Sequence, residues 1–227
     1  MKSGSVFPSL SELKTAMITL YTWTTPNGRK VSIALEELGL PYIVKPVNIG
    51  KDEQFTPDFL AVGPNNKIPA IVDEEGLDRS TSVFETAAIL IYLAEKTGKL
   101  LPAQGAARAE TLEWLIWTVA SLGPMFGQWN YFANRAEEKT PAAIERFTDE
   151  AVRLVGVLEG RLGRSHYLGG SAYSIADISG YTWTLAVMAS LRQHIGEELA
   201  PTPHIDRWLA EVGARPAVKQ GMLVPAV

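Results

Sequence analysis

The sequence predicts an α/β domain followed by an all-helical domain. Three observations carry that expectation. Strand-like and helix-like segments alternate from Met17 to about Lys96, a Pro- and Gly-containing linker follows at Leu100 to Gly105, and beyond it every periodic segment is helical. With 227 residues the chain is long enough for one large or two small domains with a sizeable core.

Residues 1–16 carry Gly, Pro and Ser breakers and read as an extension. Met17 to Trp23 is β-rich. Arg29 to Leu38 carries a helical stripe (Val31, Ile33, Ala34, Leu35, Leu38) stopped by Gly39, with Pro41 just after. Tyr42 to Val47 reads as a second strand, completing a βαβ unit whose strands pair in parallel. Pro57 to Val62 is a short helix, Ile68 to Val72 a third strand, and Leu77 to Val83 a fourth, antiparallel to it after a turn at Asp73 to Gly76. Glu85 to Lys96 is helical and ends at Gly98. The order is β-α-β-α-β-β-α, with boundaries at 17–98 for this domain, 99–107 for the linker and 108–227 for the helical domain. In the latter, Ala106 to Ala133, Pro141 to Leu162, Ser174 to His194 and Pro203 to Val212 are helical regions. Gly123-Pro124 must kink or split the first, because proline lacks the amide donor and crowds the preceding turn.

Composition narrows the chemistry. A net charge of -4 favours neither a nucleic-acid backbone nor an anionic membrane surface as partner. The best apolar run, Ala87 to Ala94, is far short of the roughly 20 residues of a membrane helix, and Ser3 to Ser11 lacks the apolar core of a secretory signal. The expected location is the cytoplasm. The chain has no cysteine, which removes disulfides, thiolate metal sites and a cysteine nucleophile. Its three histidines, His166, His194 and His204, are late and scattered, which argues against a metal site or a Ser–His–Asp triad. Sulfur chemistry, if present, must use a ligand's sulfur.

Three segments are candidates for binding. Thr24-Thr25-Pro26-Asn27-Gly28 joins the first strand to the first helix, where open α/β sheets place ligands. There Thr25 either caps backbone donors or donates its hydroxyl to a bound thiolate beside the positive end of the helix dipole. Asn65-Asn66-Lys67-Ile68-Pro69-Ala70 enters the third strand. With a cis Ile68–Pro69 bond, the Ile68 backbone is offered to an extended peptide, and Lys67 to its terminal carboxylate; the alternative is a plain turn with Lys67 in solvent. Phe84-Glu85-Thr86 opens the next helix, where free N–H groups and the Thr86 hydroxyl suit a carboxylate and Glu85 suits an ammonium; the alternative is an acidic residue complementing a helix start. Ser174 and Asp177 have the spacing of an acidic capping box. Trp114, Trp117, Phe126, Trp129, Tyr131 and Phe132 are either core or, around Gly127 to Asn130, the wall of an aromatic pocket. Arg146 by itself reads as a solvated residue.

From Met17 to the C-terminus these segments together resemble the cytosolic glutathione transferase family. Ile68-Pro69-Ala70, Phe84-Glu85-Thr86 and Ser174-Ile175-Ala176-Asp177 occur in its order and spacing. Thr25-Pro26-Asn27-Gly28, Asn65-Asn66-Lys67-Ile68-Pro69 and Gly123-Pro124-Met125-Phe126-Gly127-Gln128 are most similar to the Nu class, the glutathione-dependent disulfide-bond oxidoreductases, which is akin to a yeast nitrogen regulator. The resemblance implies a thioredoxin-like first domain that holds glutathione as co-substrate, an all-α second domain, no metal and a homodimer. It implies that Lys67, with Gln54 nearby, meets the glycyl carboxylate, that Ile68 before a cis Pro69 pairs with the cysteinyl unit, and that Glu85 and Thr86 hold the γ-glutamyl head. Thr25 and Asn27 would lie near the sulfur as the catalytic pair, and Arg146 would reach glutathione across the dimer. The sequence departs from the Tyr, Ser or Cys that other classes place at the sulfur; Tyr21, in the first strand, is expected to be supporting structure. Reduction of small disulfides is therefore expected over conjugation of electrophiles, with weak transferase or peroxidase activity beside it. A non-catalytic binding or regulatory module on the same fold is the rival expectation.

Overall fold

The computed structural model describes residues 18–76, 80–196 and 199–227. The expected extension at 1–16, Met17 of the first expected strand and Leu77 to Arg79 of the fourth lie outside the described residues. The chain divides into two compact units: residues up to Lys96 together with Gln220–Val227, and Thr97–Lys219.

The first unit follows the expected order: β1 (Ile18–Thr22), α1 (Pro26–Leu38), β2 (Tyr42–Pro46), two 3-10 turns (Ile49–Lys51 and Glu53–Phe55), α2 (Pro57–Leu60), β3 (Ala70–Asp73), β4 (Thr81–Phe84) and α3 (Thr86–Thr97). The sheet runs β2-β1-β3-β4, with β1 parallel to β2 and antiparallel to β3, and β3 antiparallel to β4. Pro26 occupies the first turn of α1, three residues earlier than the stripe alone suggests, because a proline suits that turn. Gly39 ends the helix in the left-handed conformation at φ 67°, which a residue without Cβ adopts freely. β3 begins at Ala70 rather than Ile68, since Pro69 has no N–H to give the ladder. The Ile68–Pro69 bond is cis.

Strand alternation sorts the two faces of the sheet. Leu20 and its partner Ile71 are fully buried. On the opposite face the paired Tyr21 and Ala70 pack with Val47 and Phe59. Tyr21 also accepts a hydrogen bond from Lys45 Nζ at 3.2 Å. The last residues of the chain return to this unit instead of remaining with the helical domain: α9 (Pro216–Gly221) brings the Gly221 carbonyl to Ser32 Oγ on α1 at 2.7 Å.

The second unit contains α4 (Gly105–Trp117), a π-helical turn (Thr118–Leu122), α5 (Gly123–Asn130), a second π turn (Tyr131–Arg135), α6 (Pro141–Arg164), α7 (Ile175–Ile195) and α8 (Pro203–Ala214). α4 starts inside the stretch expected to be linker. As expected, the first helical region is split ahead of Pro124, into α4 and α5 with a π turn between them. The π turn before it accepts the Gly123 amide at Thr118 O, and Pro124 then falls in the first turn of α5, where its missing donor costs least. α7 is the central helix: its buried residues span all sides, and α4, α5 and α8 pack on it. Its start is a capping box, as expected. Ser174 Oγ accepts from Ala176 N, and Asp177 accepts from the Ser174 amide at 3.0 Å, the Leu168 amide at 2.8 Å and Trp208 Nε1 at 2.9 Å. Burial pushes the Asp177 carboxyl above its ordinary range while these donors pull it back. Ser174→Ala removes a cap and a donor to that buried carboxylate, and urea unfolding is expected to show a loss of about 1–2 kcal/mol.

Lys30 is 1% exposed on α1, outside the apolar stripe that marks that helix in the sequence. Desolvation lowers its amine from 10.5 to about 7. Below pH 7 folding must bury an ammonium. Between pH 7 and 10.5 the unfolded chain holds a proton that the folded chain has released, so folding becomes more favourable as pH rises. Tyr42, whose phenol is raised by burial and by Glu36, opposes this above its ordinary value of 10. Thermal unfolding should therefore shift upward from pH 7 to about pH 10. Lys30→Met should raise the midpoint at pH 7 and flatten that slope.

Candidate active site

Strand register assembles the candidate residues of the first unit. Tyr21 of β1 lies opposite Ala70 of β3, and Ala70 opposite Phe84 of β4. The outgoing end of β1, the incoming end of β3 and the outgoing end of β4 therefore share one edge of the sheet. Thr22 pairs with Pro46, which puts the end of β2 and the chain leading to Gln54 on that edge too. Thr25, Asn27, Gln54, Lys67, Ile68, Pro69, Glu85 and Thr86 all follow or precede these strand ends directly or by a short turn.

Thr25 is the N-cap of α1: its Oγ accepts the Gly28 amide at 3.0 Å. Capping and donation are not exclusive, because the oxygen accepts the amide while the hydroxyl proton can still donate. A glycine is required three residues on. A Cβ on Gly28 would collide with Trp23 O and Thr22 Oγ, so the β1–α1 turn closes this tightly only without a side chain there. Asn27 follows in the first turn of α1.

Lys67 is exposed, Ile68 half-buried and Pro69 buried at the entry to β3. Glu85 has φ 70°, a conformation that costs a non-glycine residue about 1–2 kcal/mol and concentrates at functional positions. Its carbonyl accepts the Ile89 amide at 2.9 Å, so Glu85 stands at the entrance of α3 with Thr86 in the first turn. The Glu85 carboxylate accepts a hydrogen bond from Asn65 Nδ2 at 3.3 Å. Asn65 lies in a motif visible in the sequence, yet its partner is 20 residues away and reached only through the turn at Glu85. Among the described residues of this unit, Gln54 Oε1 and Arg29 Nε are buried without a hydrogen-bond partner, the latter one turn beyond Thr25 on α1. Arg29 was not a sequence candidate, and nothing in the pattern sets it apart from a solvated helix cation.

Arg146 belongs to the helical unit, on α6, where it lines a groove with Met125, Phe147, Glu150 and Arg153. Of the aromatic residues there, Phe126 and Trp129 are fully buried core, and Trp129 Nε1 donates to Thr148 Oγ at 3.1 Å. Tyr131 is exposed. Among the described residues no group of His, Cys, Asp and Glu is placed to hold a metal ion, and no helix is long and apolar enough to cross a membrane.

Comparison with known proteins places this arrangement. The model of the glutathione S-transferase N-terminal domain matches residues 24–96, and that of the C-terminal domain matches residues 117–216. The disulfide-bond oxidoreductase YfcG of Escherichia coli is 48% identical over 209 residues, covering 91% of this chain and 95% of the relative. A glutathione transferase family member from Pseudomonas fluorescens, solved with two glutathiones bound, superposes with a TM-score of 0.88 at 43% identity over 96% of each chain. A glutathione transferase from Pseudomonas putida, with one glutathione disulfide per subunit, gives a TM-score of 0.86 at 40% identity over 92% of each chain. Two family models in tandem and relatives matched along nearly their whole length lead to one conclusion: the chain belongs to the glutathione S-transferase family, with a thioredoxin-like sheet domain and a helical domain.

Proposed function

We propose that this protein is a glutathione-dependent disulfide-bond oxidoreductase that reduces small disulfides. The observation that carries the reading is the shared sheet edge, where a threonine hydroxyl at a helix start, an extended segment before β3 and an acid–hydroxyl pair before α3 stand on a cysteine-free chain. A tripeptide with a carboxylate at one end, a thiol in the middle and an amino-acid head at the other matches that series. Lys67 attracts the glycyl carboxylate, with Gln54 at the same end. The Ile68 backbone pairs with the cysteinyl unit as an added strand. Thr86 and the α3 entrance take the γ-glutamyl carboxylate, and Glu85 its ammonium. Thr25 donates to the sulfur and Asn27 lies beside it. Each group favours the thiolate or fixes its position, and none contributes sulfur of its own.

The reaction then needs only ligand sulfur. A glutathione thiolate attacks one sulfur of the substrate disulfide, forming a mixed disulfide and releasing a thiolate that takes up a proton. A second glutathione thiolate attacks the glutathione sulfur of the mixed disulfide and yields glutathione disulfide and the second reduced thiol. Two glutathiones are oxidised and one disulfide is reduced. Conjugation to electrophiles is the lesser activity, since no Tyr, Ser or Cys stands where Thr25 does. In this reading the protein works in the cytoplasm as a homodimer, with Arg146 of a second copy reaching the ligand.

Thr25→Ala is expected to lower turnover of hydroxyethyl disulfide by at least tenfold, while glutathione affinity falls much less. Thr25→Ser, which keeps both cap and donor, should recover most of the rate. Equal rates in all three proteins remove Thr25 from the mechanism. Vigorous conjugation of chlorodinitrobenzene by the wild-type protein, without disulfide turnover, overturns the assignment.

A further inference from the structure

We infer that Asn65 is a positioning residue that sets the Glu85 carboxylate to receive the α-ammonium of the γ-glutamyl group, and so selects thiols that carry that ammonium. The inference rests on the proposed glutathione site and adds a residue to it. A carboxylate only accepts, so the Asn65 amide must present its NH2 group to Glu85 Oε1 at 3.3 Å. This occupies one carboxylate oxygen and leaves the other for a cation.

Both partners are held from behind. Glu85 is turned by its left-handed backbone at φ 70° and tied to α3 through the Ile89 amide. Asn65 rides on a loop fastened at several points. The Gly63 amide bonds Phe59 O at 2.8 Å, the Asn66 amide bonds Gly63 O at 3.0 Å, and Ser82 Oγ donates to Val62 O at 3.0 Å. Phe59 itself is buried. The Asn65 amide is therefore delivered by the same loop that leads into Lys67 and Ile68, and it links the two segments proposed to grip opposite ends of the ligand. Neither Asn65 nor Glu85 is buried, so removing the amide should leave the fold intact.

The test is calorimetric titration of wild type, Asn65→Ala, Glu85→Gln and the double variant with glutathione and with the analogue lacking its α-amino group. Asn65→Ala is expected to weaken glutathione binding several-fold, because Glu85 must then be ordered as the ammonium binds, and to leave binding of the analogue unchanged. In the Glu85→Gln background, Asn65→Ala should have no further effect. Unchanged melting temperatures exclude a folding defect. Equal weakening toward both ligands, or full additivity with Glu85→Gln, overturns the role of Asn65 while the glutathione site stands. Failure of the wild-type protein to bind glutathione at millimolar concentration overturns the site itself, and this inference with it.

Discussion

The pairing of Tyr21 with Ala70 and of Ala70 with Phe84 is the constraint on which the rest depends. Side chains alternate along a strand, so slipping this register by one residue would send Leu20 and Ile71 out of the core and Tyr21 into it. The buried pair on one face and the Tyr21, Phe59, Ala70 and Val47 group on the other fix the register between them. Once it is fixed, the β1–α1 turn, the entry to β3 and the entrance to α3 must share an edge. The convergence of the candidate residues is a consequence of sheet packing before it is a matter of any single polar residue.

Thr25 shows how structure and chemistry occupy the same atoms. Its oxygen satisfies the Gly28 amide, and the tight approach of Gly28 to Trp23 and Thr22 holds the turn that presents it. The cap that ends the strand–helix connection is thus also the donor proposed for the thiolate. Glu85 repeats the pattern: a backbone conformation with a local cost is kept where it directs a carboxylate toward Asn65. The helical unit is organised differently, around the buried Asp177 and the all-round burial of the first two turns of α7, and its polar interior serves packing.

Much of the fold was legible in the sequence because breakers punctuate it. Pro26, Gly39, Pro69, Pro141, Ser174 and Pro203 mark element ends by local chemistry, and the β-α-β-α-β-β-α order follows. Less legible were features set by distant partners. The π turn that carries the chain past Gly123-Pro124 depends on the packing of Thr118, whose hydroxyl lies 2.6 Å from Ser179 Oγ, 61 residues away. The return of Gly221 to Ser32 is a contact across 189 residues with no local signal beyond Pro216. Lys30 looks like any solvated helix lysine until the fold encloses it. The candidate residues were readable as motifs, but only the register shows that those of the sheet domain converge. Arg146, in the helical unit, was named through family resemblance and not through any feature of α6.

A crystal structure of the protein soaked with glutathione disulfide tests the central claim most directly. The ligand should lie extended along the sheet edge, its cysteinyl amide and carbonyl paired with the Ile68 backbone and one sulfur within hydrogen-bond reach of Thr25 Oγ. Density for the ligand away from that edge, or a bound ligand whose sulfur is remote from the start of α1, would contradict it.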